Sequence, residues 1–419
     1  MLRLTYEYKL IPSQKQIAVI EDILAVCRKV WNYALRERKD WYKSRKCAVN
    51  YCSLQHEYII PVDQPYPNYK IQAANLTKAK KANPELKRIN AQVLQQVLKT
   101  LDRAFKNMKE QGYGFPRFKN PYRMRSFVFP QFKTNPINNE WIKLPQIGLV
   151  KLRLSRPIPD GFKIKQVRIV RRASGYFAML SLQSEVSVPD TPPRGHPLGI
   201  DVGLDKFLAT SDNQLIERPR FLKKLHSKLK LLQRRLKLKK KGSKNKHKLN
   251  CQIARLHQKI SDTRKDFHFK LANYLCDQAG MIFVVGEACP KDMDLDFRTW
   301  AKGMLGKHTL DAGFGQFFDI LAWVCWKRGV YFGKVDYRYT SQICPNCGIN
   351  TGKKDLSERI HKCPECHYEI NRDVSAAQVI CQRGITAVGQ IVLENDCVGG
   401  LSGVYNNLDK CFGSSKPKL

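Results

Sequence analysis

The sequence predicts an α+β protein of several domains, and three observations carry that prediction. Residues 112–190 follow strand grammar, with short apolar runs separated by turn residues. Residues 218–261 instead step their leucines by three and four, the helical period. After them, apolar strand-sized runs alternate with helical stretches, as in a mixed α/β unit. At 419 residues the chain has room for roughly two to three domains.

Residues 1–12 alternate apolar and polar side chains and stop at Pro12, which predicts one strand. Ser13 is placed to cap a long helix to about residue 46, with Ile17, Ile20, Leu24, Cys27, Trp31 and Ala34 on one face. A Pro- and Tyr-rich break at 61–69 follows. A second helical stretch then carries Ile89, Val93, Val97, Leu101, Phe105 and Met108. Residues 13–111 therefore read as a helical module. Residues 112–190 hold strand runs at 127–129, 141–144 and 150–154. A hairpin pairs 167–170 with 176–182 through Ala173, Ser174 and Gly175. So many short strands predict a small barrel or sandwich. Residues 1–12 supply its first strand, so the helical module is an insertion.

From His196 the pattern changes. An apolar strand at 198–202 ends in Gly203, and 207–210 is its return partner. Residues 218–261 contain no Asp or Glu and 17 Lys and Arg. Leu222, Leu225, Leu229, Leu232 and Leu236 make one apolar seam, and Leu249, Ile253, Leu256 and Ile260 the other, with Gly242 and Ser243 between. This is an antiparallel helical hairpin with a basic exterior. Strand 281–285, a helix at 313–328, strand 330–335, a cysteine module and a helix at 373–382 follow. Residues 386–419, rich in Gly, Asn and Ser, read as a loosely ordered tail.

A formal net charge of +38 is far above the roughly 2–8 of a small soluble domain. It repels itself unless a polyanion neutralises it, which points to nucleic acid. Lys223, Lys224, Lys230, Arg234, Arg235, Lys239 and Lys240 on the hairpin, with Arg117 and Lys119, are candidate nucleic-acid contacts. Tyr337 and Tyr339 can stack on bases or pack in a core. The first residues lack the apolar stretch of a signal peptide, and no run reaches the roughly 18 residues of a membrane span. A soluble, cytoplasmic, nucleoid-associated protein with no membrane partner is expected.

Cys344 and Cys347 form one C-x2-C pair, and Cys363 and Cys366 a second, with 15 residues between them. Two matched pairs at this spacing predict a closed tetrahedral zinc site, structural rather than catalytic. Three acids then stand out. Asp201 is the one charged residue inside an apolar strand, where an unpaired carboxylate is costly. Glu287 follows the strand at 281–285. Asp373 opens a late helix, where a capping or first-turn role is the simplest account. Together they can converge at one sheet edge and hold two divalent cations.

With these residues in view, the chain resembles the TnpB family, RNA-guided nucleases of small insertion sequences related to compact type V CRISPR effectors. The resemblance rests on YKLIP at 8–12, CRKVWNYA at 27–34, residues 90–108, GFPRFK at 114–119, GIDVG at 199–203, TSQIC at 340–344 and the Arg372-Asp373 motif with Ala376 and Ala377. It implies an RNase H-like (RuvC) nuclease core over 191–342 and 368–385, carrying the hairpin 218–261 and interrupted by a zinc ribbon at 343–367. It implies an N-terminal β-barrel, the wedge, at 1–12 and 112–190, with 13–111 as recognition module. Asp201, Glu287 and Asp373 carry over as catalytic residues and as ligands for Mg2+ or Mn2+, beside structural Zn2+. The implied partners are a guide RNA from the element end and target double-stranded DNA. The sequence departs from the family pattern at Ala288, at Asn371 in place of an Asp, at Ser375, and at His268, shifted by one position. The implied function is RNA-guided DNA cleavage. The alternatives are a DNA transposase, which places Glu last in its acid series, and a nuclease-inactive RNA-guided repressor, which loses an acid.

Overall fold

The computed structural model describes residues 2–47, 59–132, 134–186, 190–286, 306–355 and 357–389. They divide into two compact units, Met1–Val188 and Pro189–Leu419.

The first unit is built on β1 (Leu2–Ile11). Pro12 ends it, and Ser13 caps α1 (Gln14–Ser44) in a full capping box with Gln16. The apolar stripe of α1, from Ile20 to Leu35, is buried. Helix α2 (Tyr69–Ala82) follows, capped by Asn68, then the single turn α3 (Pro84–Lys87) and α4 (Ala91–Glu110). The sequence reading passes over α2, which buries only Gln72. Buried Arg38 ties three helices: its Nε donates to Gln72 Oε1 (3.0 Å) and its Nη2 to Asp102 Oδ1 (3.0 Å). An unpaired guanidinium at such a position would be costly to bury.

Strands β2 (Ser126–Phe129), β3 (Ile137–Asn138), β4 (Trp141–Leu144), β5 (Gly148–Arg153), β6 (Lys163–Arg172) and β7 (Gly175–Ser184) complete a seven-stranded sheet. Its order is β2-β6-β7-β1-β5-β4-β3, antiparallel throughout. Strand β1 therefore lies in the interior of the sheet, between β7 and β5. Its alternation puts Tyr8 and Leu10 into the core. The β6–β7 hairpin closes between Arg172 and Gly175, whose φ of 122° suits glycine.

The second unit centres on β8 (Pro197–Val202), β9 (Lys206–Thr210) and β10 (Leu215–Glu217). Helices α5 (Phe221–Lys237) and α6 (Lys244–Gln278) form the basic hairpin. Helix α6 continues past residue 261 to bury His268, Leu271, Ala272, Leu275 and Cys276. No side chain of its own caps α5; Asp311 Oδ1 accepts from Leu222 N instead (3.0 Å). Then come β11 (Met281–Val285), α7 (Gly306–Ala312), α8 (Phe314–Arg328), β12 (Tyr331–Val335), β13 (Ile360–Lys362), β14 (Glu369–Asn371) and α9 (Arg372–Val388). The last helix outruns the expected residue 382 and takes in 386–388, assigned above to the tail. Residues 390–419 lie outside the described residues.

The five-stranded order is β10-β9-β8-β11-β12. The first three strands form an antiparallel meander, and β8, β11 and β12 run parallel. Strand β8 and all of β11 are buried on nearly every residue, as a sheet covered on both faces requires. Helix α9 lies directly on β8 because Gly199 has no side chain. A Cβ there would stand 2.0 Å from Ala377 O and 2.6 Å from Cys381 N. Gly199→Ala must push α9 off the strand, and a loss of about 3 kcal/mol or more is expected. A melting temperature equal to that of the parent would refute this tight seat.

His268 is wholly buried among the rings of Phe207, Phe267 and Phe317, and its Nε2 donates to Ala312 O (3.0 Å). Burial drives its pKa down to about 4. The unfolded chain binds a proton near pH 6.5 that the folded one refuses. Stability is therefore complete above that pH and falls as pH drops from 6.5 towards 4, by roughly 3 kcal/mol. Denaturant titrations across that window should flatten in His268→Phe; an acid limb as steep as the parent's would show that His268 does not drive it.

Candidate functional site

Asp201 is the penultimate residue of β8 and pairs with Ala209 of β9. Parallel pairing sets Val284 of β11 beside Ile200, so β11 delivers its C-terminal end to the edge that carries Asp201. Glu287, two residues past β11, lies outside the described residues. Helix α9 approaches the same edge from above. Asn371 caps it, its Oδ1 accepting from Asp373 N (3.0 Å) and Val374 N (3.4 Å). Asp373 is thus the second residue of the helix and Asn371 the cap. Asn at this position caps as well as Asp without adding a further negative charge.

Asp373 acts on Asp201. Burial and then the Asp373 carboxylate raise the Asp201 carboxyl to about 7, against the Val202 backbone hydrogen bond and the Arg372 guanidinium. Asp373 is also raised, first by burial, against Arg359 and Arg372 and with a push from Asp205. Asp205, in the turn from β8 to β9, was missed in the sequence, where it reads as an ordinary turn acid. Arg372 is held by its own contacts, its Nη1 donating to Asp355 O (2.7 Å). An edge with hard oxygen donors at high cost to their own ionisation suits a divalent cation. Among the described residues these carboxylates do not close into a three-ligand cluster.

The four cysteines do. The sulfurs of Cys344, Cys347, Cys363 and Cys366 all lie within 4.8 Å of one another. Each pair sits on the same knuckle. Gly348 N donates to Cys344 O (2.9 Å) and His367 N to Cys363 O (3.1 Å). Gly348 and His367 both take left-handed φ, 78° and 56°. A preformed S4 set fits zinc. The ribbon grips α9: Gln382 Nε2 donates to Pro345 O (2.6 Å) and Tyr368 OH to Gln378 Oε1 (3.2 Å).

Of the basic residues named above, Lys230, Arg234, Arg235, Lys239 and Lys240 are exposed along the hairpin, and Arg117 is exposed in the first unit. A cleft near the hairpin turn is lined by Arg235, Leu238, Lys239, Asn245, Lys248 and Leu249. The side chains of Lys223 and Lys224 lie outside the described residues. Lys119 is turned inward, its ammonium 3.5 Å from the Trp31 ring centroid, and burial lowers its pKa. Tyr337 packs against a core cluster and Tyr339 is exposed. No described helix is long and apolar enough to cross a membrane.

Three family models match successive stretches of the chain: OrfB_IS605, "Probable transposase", over 181–288; Cas12f1-like, TNB domain, over 314–380; and the OrfB_IS605 "Helix-turn-helix domain" over 1–47. The last stretch folds as β1 and the single helix α1. "Putative RNA-guided DNA endonuclease InsQ" of Escherichia coli (strain K12) is 28% identical over 92% of this chain and 94% of its own length. These matches support the TnpB family. A second relative, "Putative RNA-guided DNA endonuclease" of Streptomyces pristinaespiralis, is 26% identical over 91% of this chain and 89% of its own. The fold is Cas12-like. The "Cryo-EM structure of the Cas12f1-sgRNA-target DNA complex" aligns with a TM-score of 0.54 at 15% identity, over 88% of this chain and 83% of that one.

Proposed function

We propose that this protein is a TnpB-family RNA-guided DNA endonuclease of a transposable element, cutting DNA at an RNase H-like (RuvC) site. The observation that carries the proposal is the convergence of Asp201 and Asp373, from β8 and α9, at one edge of a sheet ordered β10-β9-β8-β11-β12. An antiparallel meander followed by two parallel strands supports the RNase H-like reading. The names and titles of the relatives supply the substrate and the guide.

Asp201 and Asp373, with Glu287, are the residues that would hold Mg2+ or Mn2+. Bound there, two such ions would activate a water and stabilise the leaving oxygen of the phosphodiester. The chain's own part is placement. Gly199 lets α9 descend onto β8, Asn371 fixes the first turn, and Arg359 and Arg372 limit how far Asp373 is raised. The S4 knuckles would hold structural zinc, and the ribbon braces the start of α9. The exposed cations of the hairpin bind phosphates without reading sequence, so affinity should fall steeply with salt. Base pairing to the guide RNA supplies specificity, while the protein reads duplex shape and a short adjacent motif. The seven-stranded sheet acts as the wedge barrel, with residues 13–111 as recognition module.

The deciding assay combines the protein with RNA from its own locus, Mg2+ and a matched duplex carrying a library of flanking motifs. Cleavage at the matched site, abolished by EDTA, is the expected result. No cut across the whole library would sink the nuclease reading.

A further inference from the structure

Four aromatic side chains stand out of one irregular stretch of the first unit. Tyr113, Phe115, Phe118 and Tyr122 are 53%, 41%, 42% and 54% exposed. Single exposed rings need no account, but four within ten residues make a patch. The stretch belongs to no helix or strand, yet it is pinned. Trp31 Nε1 donates to Arg117 O (3.1 Å), Asn32 Nδ2 donates to Lys119 O (2.9 Å), and Lys119 N donates to Asn32 Oδ1 (2.8 Å). Phe115 is seated edge-on against Tyr42 and Phe105, at 6.2 and 5.4 Å between centroids. The backbone is thus ordered before any partner arrives, which lowers the entropy cost of binding. From 111 to 139 there is no Asp or Glu and there are five Lys and Arg. Lys39 Nζ adds a cation 5.4 Å from the Phe118 ring centroid.

We propose that this stretch is a stacking platform for unpaired RNA nucleotides, with Tyr113 and Phe118 carrying bases and Arg117 a phosphate. The inference rests on the nucleic-acid reading above and names a further surface for it. Every base offers a π-face to an aromatic ring, whatever the sequence, and the stretch itself carries no acid to repel phosphates. Guide RNA is the occupant rather than target DNA, because it is the partner present before a target arrives. A permanently exposed aromatic patch needs a permanent cover.

The test uses the full-length protein and oligoadenylate of about 12 nucleotides, as single-stranded RNA, single-stranded DNA and RNA paired with oligouridylate. After ultraviolet irradiation, mass spectrometry should place RNA adducts within 111–125 for the single strand and none there for the duplex. In binding titrations, Phe118→Ala combined with Tyr113→Ala should weaken RNA binding about fivefold or more at every salt concentration. The slope of log affinity against log salt should stay unchanged, because stacking releases no counterions. Arg117→Ala should flatten that slope. Phe118→Tyr should keep the affinity that Phe118→Leu loses, separating stacking from mere apolar burial, with unchanged melting confirming the fold. Parental affinity in the double variant overturns the platform while leaving the guide-RNA reading intact. Adducts confined to the basic hairpin, or a preference for the DNA strand, also overturn it. A wild-type protein that binds no RNA overturns both.

Discussion

Replacing Asp201 with alanine should lower DNA cleavage by about 10^3-fold or more, with guide RNA and target binding unchanged. Such a loss is a few kcal/mol of transition-state stabilisation, the scale on which a metal-holding carboxylate acts. The fold should not suffer. Asp201 is pushed up to about 7 by burial and by Asp373, so the folded chain holds this carboxyl at a cost. Below the ordinary carboxylate range both folded and unfolded chains are protonated and the cost vanishes. As pH rises to about 7 the unfolded chain gains from ionising and the folded one does not, so stability is lost across that window. Zinc-loaded Asp201→Asn without added Mg2+ should therefore melt at or above the parent at pH 7, with the gap closing near pH 4. Full cleavage by the alanine variant would remove Asp201 from the site. A melting temperature well below the parent's would show that the carboxylate is structural.

Zinc removal should have the second largest effect, on a site that contains no cysteine. Each chain should carry one zinc, bound by Cys344, Cys347, Cys363 and Cys366. A structural site of this type contributes on the order of 10 kcal/mol to its own fold. The ribbon leads through β14 straight into α9, and Arg372, Tyr368 and Gln382 tie the two together. Without the metal, the start of α9 loses its brace and Asp373 its position. Misplacing such a group by about 1 Å can cost around 10^2-fold. Chelated protein returned to Mg2+ alone should stay at least that far below the parent, and Cys347→Ser should behave the same way. Undiminished cleavage by zinc-free protein would show that the ribbon does not position α9.

Long amphipathic segments were legible in the sequence because burial imposes a period. Helix α1 shows its buried stripe and its Ser13 cap, and β8 its apolar run broken only by Asp201. Helix α2 shows only a short stripe: Tyr69, Ala73 and Leu76 pack on the core while only partly buried, within an Ala- and Lys-rich segment capped by Asn68, too little for hydrophobic periodicity to stand out. The end of the acid-free run at 261 marks a change of surroundings, where α6 leaves the exposed hairpin and enters the core with Ile260 and His268. The zinc knuckles were readable from spacing alone, since two C-x2-C pairs have few other uses. The convergence of Asp201 with Asp373 was expected from the order of the acids and the family resemblance, but its means was not: α9 crosses β8 at Gly199, 174 residues away in sequence from Asp373. Asp205 was hidden for the same reason: only the fold turns it towards Asp373.

The interior position of β1 has a consequence for how the protein is made. Its residues leave the ribosome well ahead of their partners in β7, which lie about 170 residues later in sequence. At roughly 5–20 residues per second, that strand waits on the order of 10–30 s with its β7 edge open. Through that interval the nascent chain offers an apolar, unpaired template to any neighbouring strand. Synthesis of this protein should therefore depend on chaperones more than its final stability implies, and a brief pause before residue 175 should lower its yield more than a pause after residue 184.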